Sequence, residues 1–256
     1  MALNLEALKD YQDKLKSGSG GDYFGLSKEM EGKEVVIRLL PPPDSMKGFY
    51  FVEEQGCWLA RERLVSYRSF GEQCPMMDIV DEIKKSRDED LLKLFHSREF
   101  SVKTQYYMPV IVLQCEYDSK DKFKNYKVLD DEAKIYGCTK SMISAINRIV
   151  TMRDFDHGEN GIMDRKTGHN ITIMRTVIGQ NTQYTAQPWI TPLEIAEEKY
   201  YDNVVDVKEH LLSKRLPKGE LEAKIREYFY GDPPKDSKKS KKKDKKKKKS
   251  ILDDIK

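Results

Sequence analysis

Residues 105–117 alternate at period two, with Tyr107, Ile111, Leu113, Cys115 and Tyr117 falling on one face. Such a run reads as a β-strand, because successive side chains of a strand point to opposite sides. Its length commits the chain to a β-rich body, and shorter runs supply partners. Residues 34–40, closed by Pro41, Pro42 and Pro43, and residues 48–52 are strand candidates. Residues 125–136 pair with the long strand as a hairpin across the polar loop 118–124. Residues 171–178 and 183–187 form a second hairpin around residues 179–182.

Helical patterns interrupt these strands. Residues 75–97 carry Ile79, Ile83, Leu91, Leu94 and Phe95 and predict two helices split near Ser86. Residues 141–152 follow a Thr139/Ser141 cap and bury Met142, Ile146 and Ile149. Beyond Pro192 three more helices are expected, over 193–200, 204–215 and 220–230. The sum predicts an α+β fold, mainly β: a small OB-fold-like barrel with helical inserts and a helical C-terminal segment. The expected divisions are an arm and hinge at 1–21, a barrel core at 22–191, a helical segment at 192–231 and a tail at 232–256. Leu5, Leu8 and Leu15 make the arm a short amphipathic helix, and residues 17–21 (SGSGG) make the hinge flexible.

Charge is distributed unevenly. Residues 232–256 hold 12 Lys and 5 Asp, a net of +7, while the other 231 residues hold 34 basic and 38 acidic ones, a net of −4. Ten lysines in the fourteen residues 237–250 cannot bury a core and predict disorder. They also predict weak, salt-sensitive attraction to polyanions, although a run of this kind also serves solubility. No run approaches the ~20 apolar residues of a membrane helix, and the charged N-terminus lacks a signal-peptide pattern. Four scattered cysteines, Cys57, Cys74, Cys115 and Cys138, fit a reducing compartment, so a cytoplasmic location is expected.

The strands interleave flat and cationic side chains. Tyr106, Tyr107, Tyr117, Phe123, Tyr126 and Tyr136 are mixed with Lys103, Lys122, Lys124, Lys127 and Lys134. Arg61, Arg63, Tyr67 and Arg68 form a second set, and Arg175, Tyr184 and Trp189 a third. Cations that track phosphates beside rings that accept stacked bases are what a single strand requires. The competing reading is that aromatic residues in strands fill the core, and alternation sends about half of them inward. The expected contacts are Arg38, Arg61, Lys103, Tyr106, Tyr117, Tyr126, Tyr136, Arg175, Tyr184 and Trp189.

Signals of catalysis are poor. No phosphate-cradling glycine loop, nucleophile elbow or HExxH motif occurs. Asp154, Asp156, His157, Glu159, Asp164 and His169 crowd one loop, but their spacing misses the calcium-loop pattern and a polar loop accounts for them. No catalytic residue, metal or cofactor is expected.

The succession of residues 35–42 (VVIRLLPP), 49–52 (FYFV), Cys74-Pro75 leading into a helix, 106–117, 126–149, 168–175 (GHNITIMR) and 183–188 (QYTAQP) resembles a known family. It is that of the phage single-stranded DNA-binding proteins of the T-even helix-destabilising (gene 32-type) class. The resemblance implies an OB-fold core with an aromatic and basic cleft, and cooperative coating of strands. An N-terminal arm would contact the neighbouring protomer, and an acidic C-terminal tail would recruit partners. Two features depart from it. The family's zinc ligands are incomplete, since Met77 stands where a second knuckle cysteine would follow Cys74, so packing would have to hold that region. The tail is basic until a short acidic-apolar tip, Ile251, Leu252, Asp253, Asp254 and Ile255, which is expected to dock replication or recombination proteins. The reading is a non-enzymatic protein that coats and protects single-stranded DNA in phage replication, recombination and repair. Its alternatives are an RNA-binding OB-fold protein and a metal-dependent nucleic-acid enzyme.

Overall fold

The structure, a computed structural model, describes residues 22–43, 46, 49–60, 62–97, 99–117, 123–130, 132–152 and 160–231. The expected arm, the Lys-rich tail and its tip lie outside these residues. The described residues form nine strands and six helices. The strands are β1 (Tyr23–Phe24), β2 (Glu34–Leu39), β3 (Val52–Leu59), β4 (Glu62–Val65), β5 (Phe100–Tyr117), β6 (Phe123–Val128), β7 (Lys134–Cys138), β8 (Ile171–Ile178) and β9 (Asn181–Pro188). The helices are α1 (Pro75–Ser86), α2 (Glu89–Phe95), α3 (Lys140–Val150), α4 (Lys199–Asp202), α5 (Val207–Ser213) and α6 (Lys218–Tyr230). The class is the expected one, α+β and mainly strands with helical inserts. None of these helices is long and apolar enough to cross a membrane. The chain divides into two compact units, Met1–Gln55 with Thr104–Lys214, and Gly56–Lys103 with Arg215–Lys256.

In the first unit the strands pair in the order β1-β7-β5-β2-β8-β9, an open path among the described residues, with β6 added on β5. Alternation sorts the side chains of β2, β5 and β8 to two faces. One face carries Val35, Ile37, Leu39, Val110, Val112, Ile171 and Ile173 against Met142, Ile143, Ile146 and Ile149 of α3. Those four recur at helical spacing, which is why 140–150 folds as a helix and covers the sheet. The other face carries Val36, Ile111 and Leu113 against Ile195, Tyr200 and Tyr201. The middle of β5 is therefore buried on both sides, which explains its long apolar run. Gly137 lies opposite Tyr107 on β7. A Cβ there would stand 2.9 Å from the Tyr107 ring, so the missing side chain lets that ring lie across β7, edge-on to Tyr23.

The second unit pairs β4 with residues 56–59 of β3 and packs α1, α2 and α6 into its own core. Leu221, Ile225 and Phe229 of α6 meet Met76, Met77, Ile79, Ile83 and Phe100 there. Asp88 splits α1 from α2 as expected: its carboxylate accepts from the Asp90 and Leu91 amides and caps α2. The Tyr67 hydroxyl donates to the Leu216 carbonyl at 2.6 Å, and the Arg215 guanidinium sits 3.9 Å above the Tyr67 ring.

Three expected elements differ. Residues 125–136 are two strands rather than one, because β6 pairs with the end of β5 and β7 with residues 106–110 of it. Of residues 48–52, only Val52 is in a strand among the described 49–52, the start of β3. Residues 193–198 are not helical. Two of their amides turn sideways instead, Leu193 donating to Gly168 O at 3.0 Å and Ile195 to Arg165 O at 3.0 Å.

Candidate nucleic-acid interface

The sheet of the first unit leaves a row of rings partly in solvent. A register shift between Glu116 and Tyr117 brings Tyr117 opposite Phe123 at the β5–β6 end. The two rings meet edge to face at 6.4 Å, and Phe123 meets Trp189 in the same manner at 5.3 Å. Tyr117 is 48% exposed and Phe123 38%. The Trp189 indole N–H donates to the Thr172 hydroxyl at 3.0 Å, which fixes the plane of the ring against β8. Lys124 and Lys127, both exposed, follow Phe123 along β6. Half-exposed rings at the end of a hairpin that also carries exposed lysines can take stacked bases and phosphates together.

Other expected contacts have different positions. Tyr106 and Tyr136 are buried in the core beneath α3, where Tyr136 tilts against Phe24 at 5.5 Å. Burial pushes the hydroxyls of both above the usual tyrosine range. Tyr184 is half-buried against the same core. Tyr126 turns inward from β6, and its hydroxyl accepts from the Ala196 amide at 2.8 Å, anchoring the segment after Trp189. Arg175 is buried and pairs with Glu31 at 3.6 Å. Lys103 is exposed, on the part of β5 that belongs to the second unit. Arg61 and the tip residues Ile251, Leu252, Asp253, Asp254 and Ile255 lie outside the described residues.

Arg38 is fully buried. Its Nε donates to Asn170 Oδ1 at 3.0 Å, and its two terminal nitrogens donate to the carbonyls of Asp164 at 2.9 Å and Leu193 at 2.6 Å. Burial lowers its pKa, and Tyr201 and Asp164 act against that shift. Of the crowded polar loop, residues 154–159 lie outside the described residues. The Asp164 carboxylate accepts from the Lys166 and Thr167 amides at 2.9 Å each and from the Thr167 hydroxyl at 3.0 Å. These bonds hold its pKa below the usual range and make it the cap of a turn. Phe123, at the centre of the row, was not among the expected contacts. The register shift that exposes it leaves no mark in the residue pattern.

The sequence model of a family described as gp32 DNA binding protein like matches residues 31–227. The chain belongs to the gp32-like DNA-binding proteins. No curated protein matches it. The zinc that the gp32-like resemblance implies does not fit the residues present. Cys57 and Cys74 are both fully buried in an apolar cluster with Met76, Met77 and Phe100, and His96 is exposed at the end of α2. Among the described residues no group of three or more His, Cys, Asp or Glu could hold a metal ion. A structural zinc needs four such ligands, so no role is assigned to one.

Proposed function

We propose that this chain binds single-stranded DNA without sequence preference and without chemistry, coating and protecting strands during replication, recombination and repair. The observation that carries the proposal is the Tyr117–Phe123–Trp189 row, its first two rings exposed and its third half-buried, with exposed Lys124 and Lys127 on the strand of Phe123, in a member of a DNA-binding family. Lysines capture the backbone by releasing counterions, and bases then stack on the rings, which accept any base because every base has a π-face. The polar side chains of β9 that share this outer face, Gln183, Thr185 and Gln187, extend the surface along the last strand. The N-terminal arm associates with a neighbouring copy along the strand. The tip Ile251–Ile255 docks replication or recombination proteins, and the work is done in the host cytoplasm. The Lys-rich tail adds a non-specific attraction.

Anisotropy of a labelled oligo-dT tests the assignment. Phe123→Ala and Tyr117→Ala are each expected to weaken binding by roughly 1–3 kcal/mol, or about 5- to 150-fold. Lys127→Ala is expected to lower the slope of log K against log salt by about 1. Unchanged affinity in both ring variants, with the fold intact, would remove the row from the interface.

A further inference from the structure

Trp189 belongs to a segment with little regular structure of its own, and a buried polar cluster fastens it. The Trp189 amide donates to Asn170 O at 2.8 Å, His169 Nδ1 donates to Trp189 O at 2.8 Å, and Leu193 and Ile195 bond back to residues 168 and 165. Arg38 reaches across from β2 and joins both strips of backbone. It holds Asn170 and Asp164 on one side and the Leu193 carbonyl on the other. Gly168 lies against the guanidinium so closely that a Cβ there would come within 2.8 Å of Arg38 Nη1. A buried cation bonded to one loop and one strap, rather than to solvent, fixes geometry more than it adds charge to a surface.

We propose that Arg38, through Asn170, is a positioning residue for single-strand binding: it sets the loop and strap that present Trp189 beside Phe123, and it touches no DNA itself. The inference rests on the reading of the ring row as the strand-binding face. Without the clamp, Trp189 keeps its indole bond to Thr172 but loses the fixed backbone that places it in line with Phe123 and Tyr117. The row then offers two ordered rings in place of three.

The full chain with Trp58→Phe makes Trp189 the sole indole reporter, since the sequence holds two tryptophans. Asn170→Ala is expected to raise the accessibility of Trp189 to acrylamide and to weaken oligo-dT binding by about tenfold, within the roughly 5- to 150-fold that one stacked ring is worth. Asn170→Asp keeps an acceptor for Arg38 and is expected to restore most of that affinity. Repeating Asn170→Ala in a Trp189→Ala chain, with binding followed by anisotropy, completes a double-mutant cycle. If Arg38 and Asn170 act through Trp189, the second substitution costs less than about twofold there. An equal loss in both backgrounds, or no loss in a folded Asn170→Ala protein, overturns the positioning role. If Trp189→Ala alone leaves affinity unchanged, the assignment of Trp189 to the interface falls instead. Should Asn170→Ala not fold, Arg38→Lys, which keeps the charge but cannot make all three bonds, enters the same cycle with the same two outcomes.

Discussion

Phe229→Ala is expected to lower the stability of the second unit by about 3–5 kcal/mol, the cost of emptying a buried aromatic site. Phe229 is completely buried on α6, meets Phe100 edge to face at 4.9 Å, and shares its cluster with Cys57, Cys74, Met76 and Met77. The apolar face of α6 supplies the bulk that holds this unit where metal ligands are missing. Set against a typical total stability of ~5–15 kcal/mol, the loss is a large fraction of what keeps the unit folded. Trp58 reports on this unit when Trp189 is changed to Phe, because the two indoles fall one in each unit. With a urea slope of ~1–3 kcal/mol per molar, the midpoint should fall by one molar or more. Excess chelator should leave the wild-type midpoint where it is. A midpoint lowered by chelator would show that a metal does what is here ascribed to packing.

Gly168→Ala is expected to destabilise the first unit by more than the ~1–3 kcal/mol of ordinary overpacking. The added Cβ would run into the Asp164 carbonyl oxygen, come within 2.6 Å of the Ile162 carbonyl oxygen and press on the Arg38 guanidinium. Two of those three obstacles are backbone, so no rotamer change can relieve them. The collision would also spread the loop that Arg38 closes. Gly25→Ala, in the same unit, is the control: nothing lies within 4 Å of its Cβ position and its φ is ordinary. That substitution should be neutral or stabilising by ~0.4–1 kcal/mol. Urea unfolding of both proteins, read from Trp189 with Trp58→Phe, separates them. Equal midpoints would mean that the Arg38 loop is not packed as described.

Local patterns carried those elements whose residues decide their own structure. β5 and the β8–β9 hairpin were legible from alternation, and the expected split near Ser86 falls between α1 and α2. What depended on distant partners was not legible. Arg38 lies 132 positions from Asn170 and 155 from Leu193, and nothing near it in sequence says that its charge is turned inward. Residues 193–198 have a helical composition, yet the Leu193 and Ile195 amides are claimed by carbonyls at 168 and 165, and the Ala196 amide by the Tyr126 hydroxyl. Among the tyrosines, alternation separates Tyr106 from Tyr107 but does not say which face is covered, and here α3 and the 195–205 segment cover both. The register shift at Glu116/Tyr117 then exposes Tyr117 and Phe123 together, a placement that a strict period of two does not allow.

The most direct test of the central claim is a titration of intrinsic fluorescence with oligo-dT and with a duplex of equal length, at several salt concentrations. The expected result is tight quenching by the single strand, a weak response to the duplex, and a steep fall of affinity with salt. A matched ribo-oligomer that bound tighter than oligo-dT would move the proposal from DNA to RNA. Equal binding to strand and duplex, lost when residues 232–256 are removed, would contradict the account: the affinity would then reside in the lysine tail and not in the sheet.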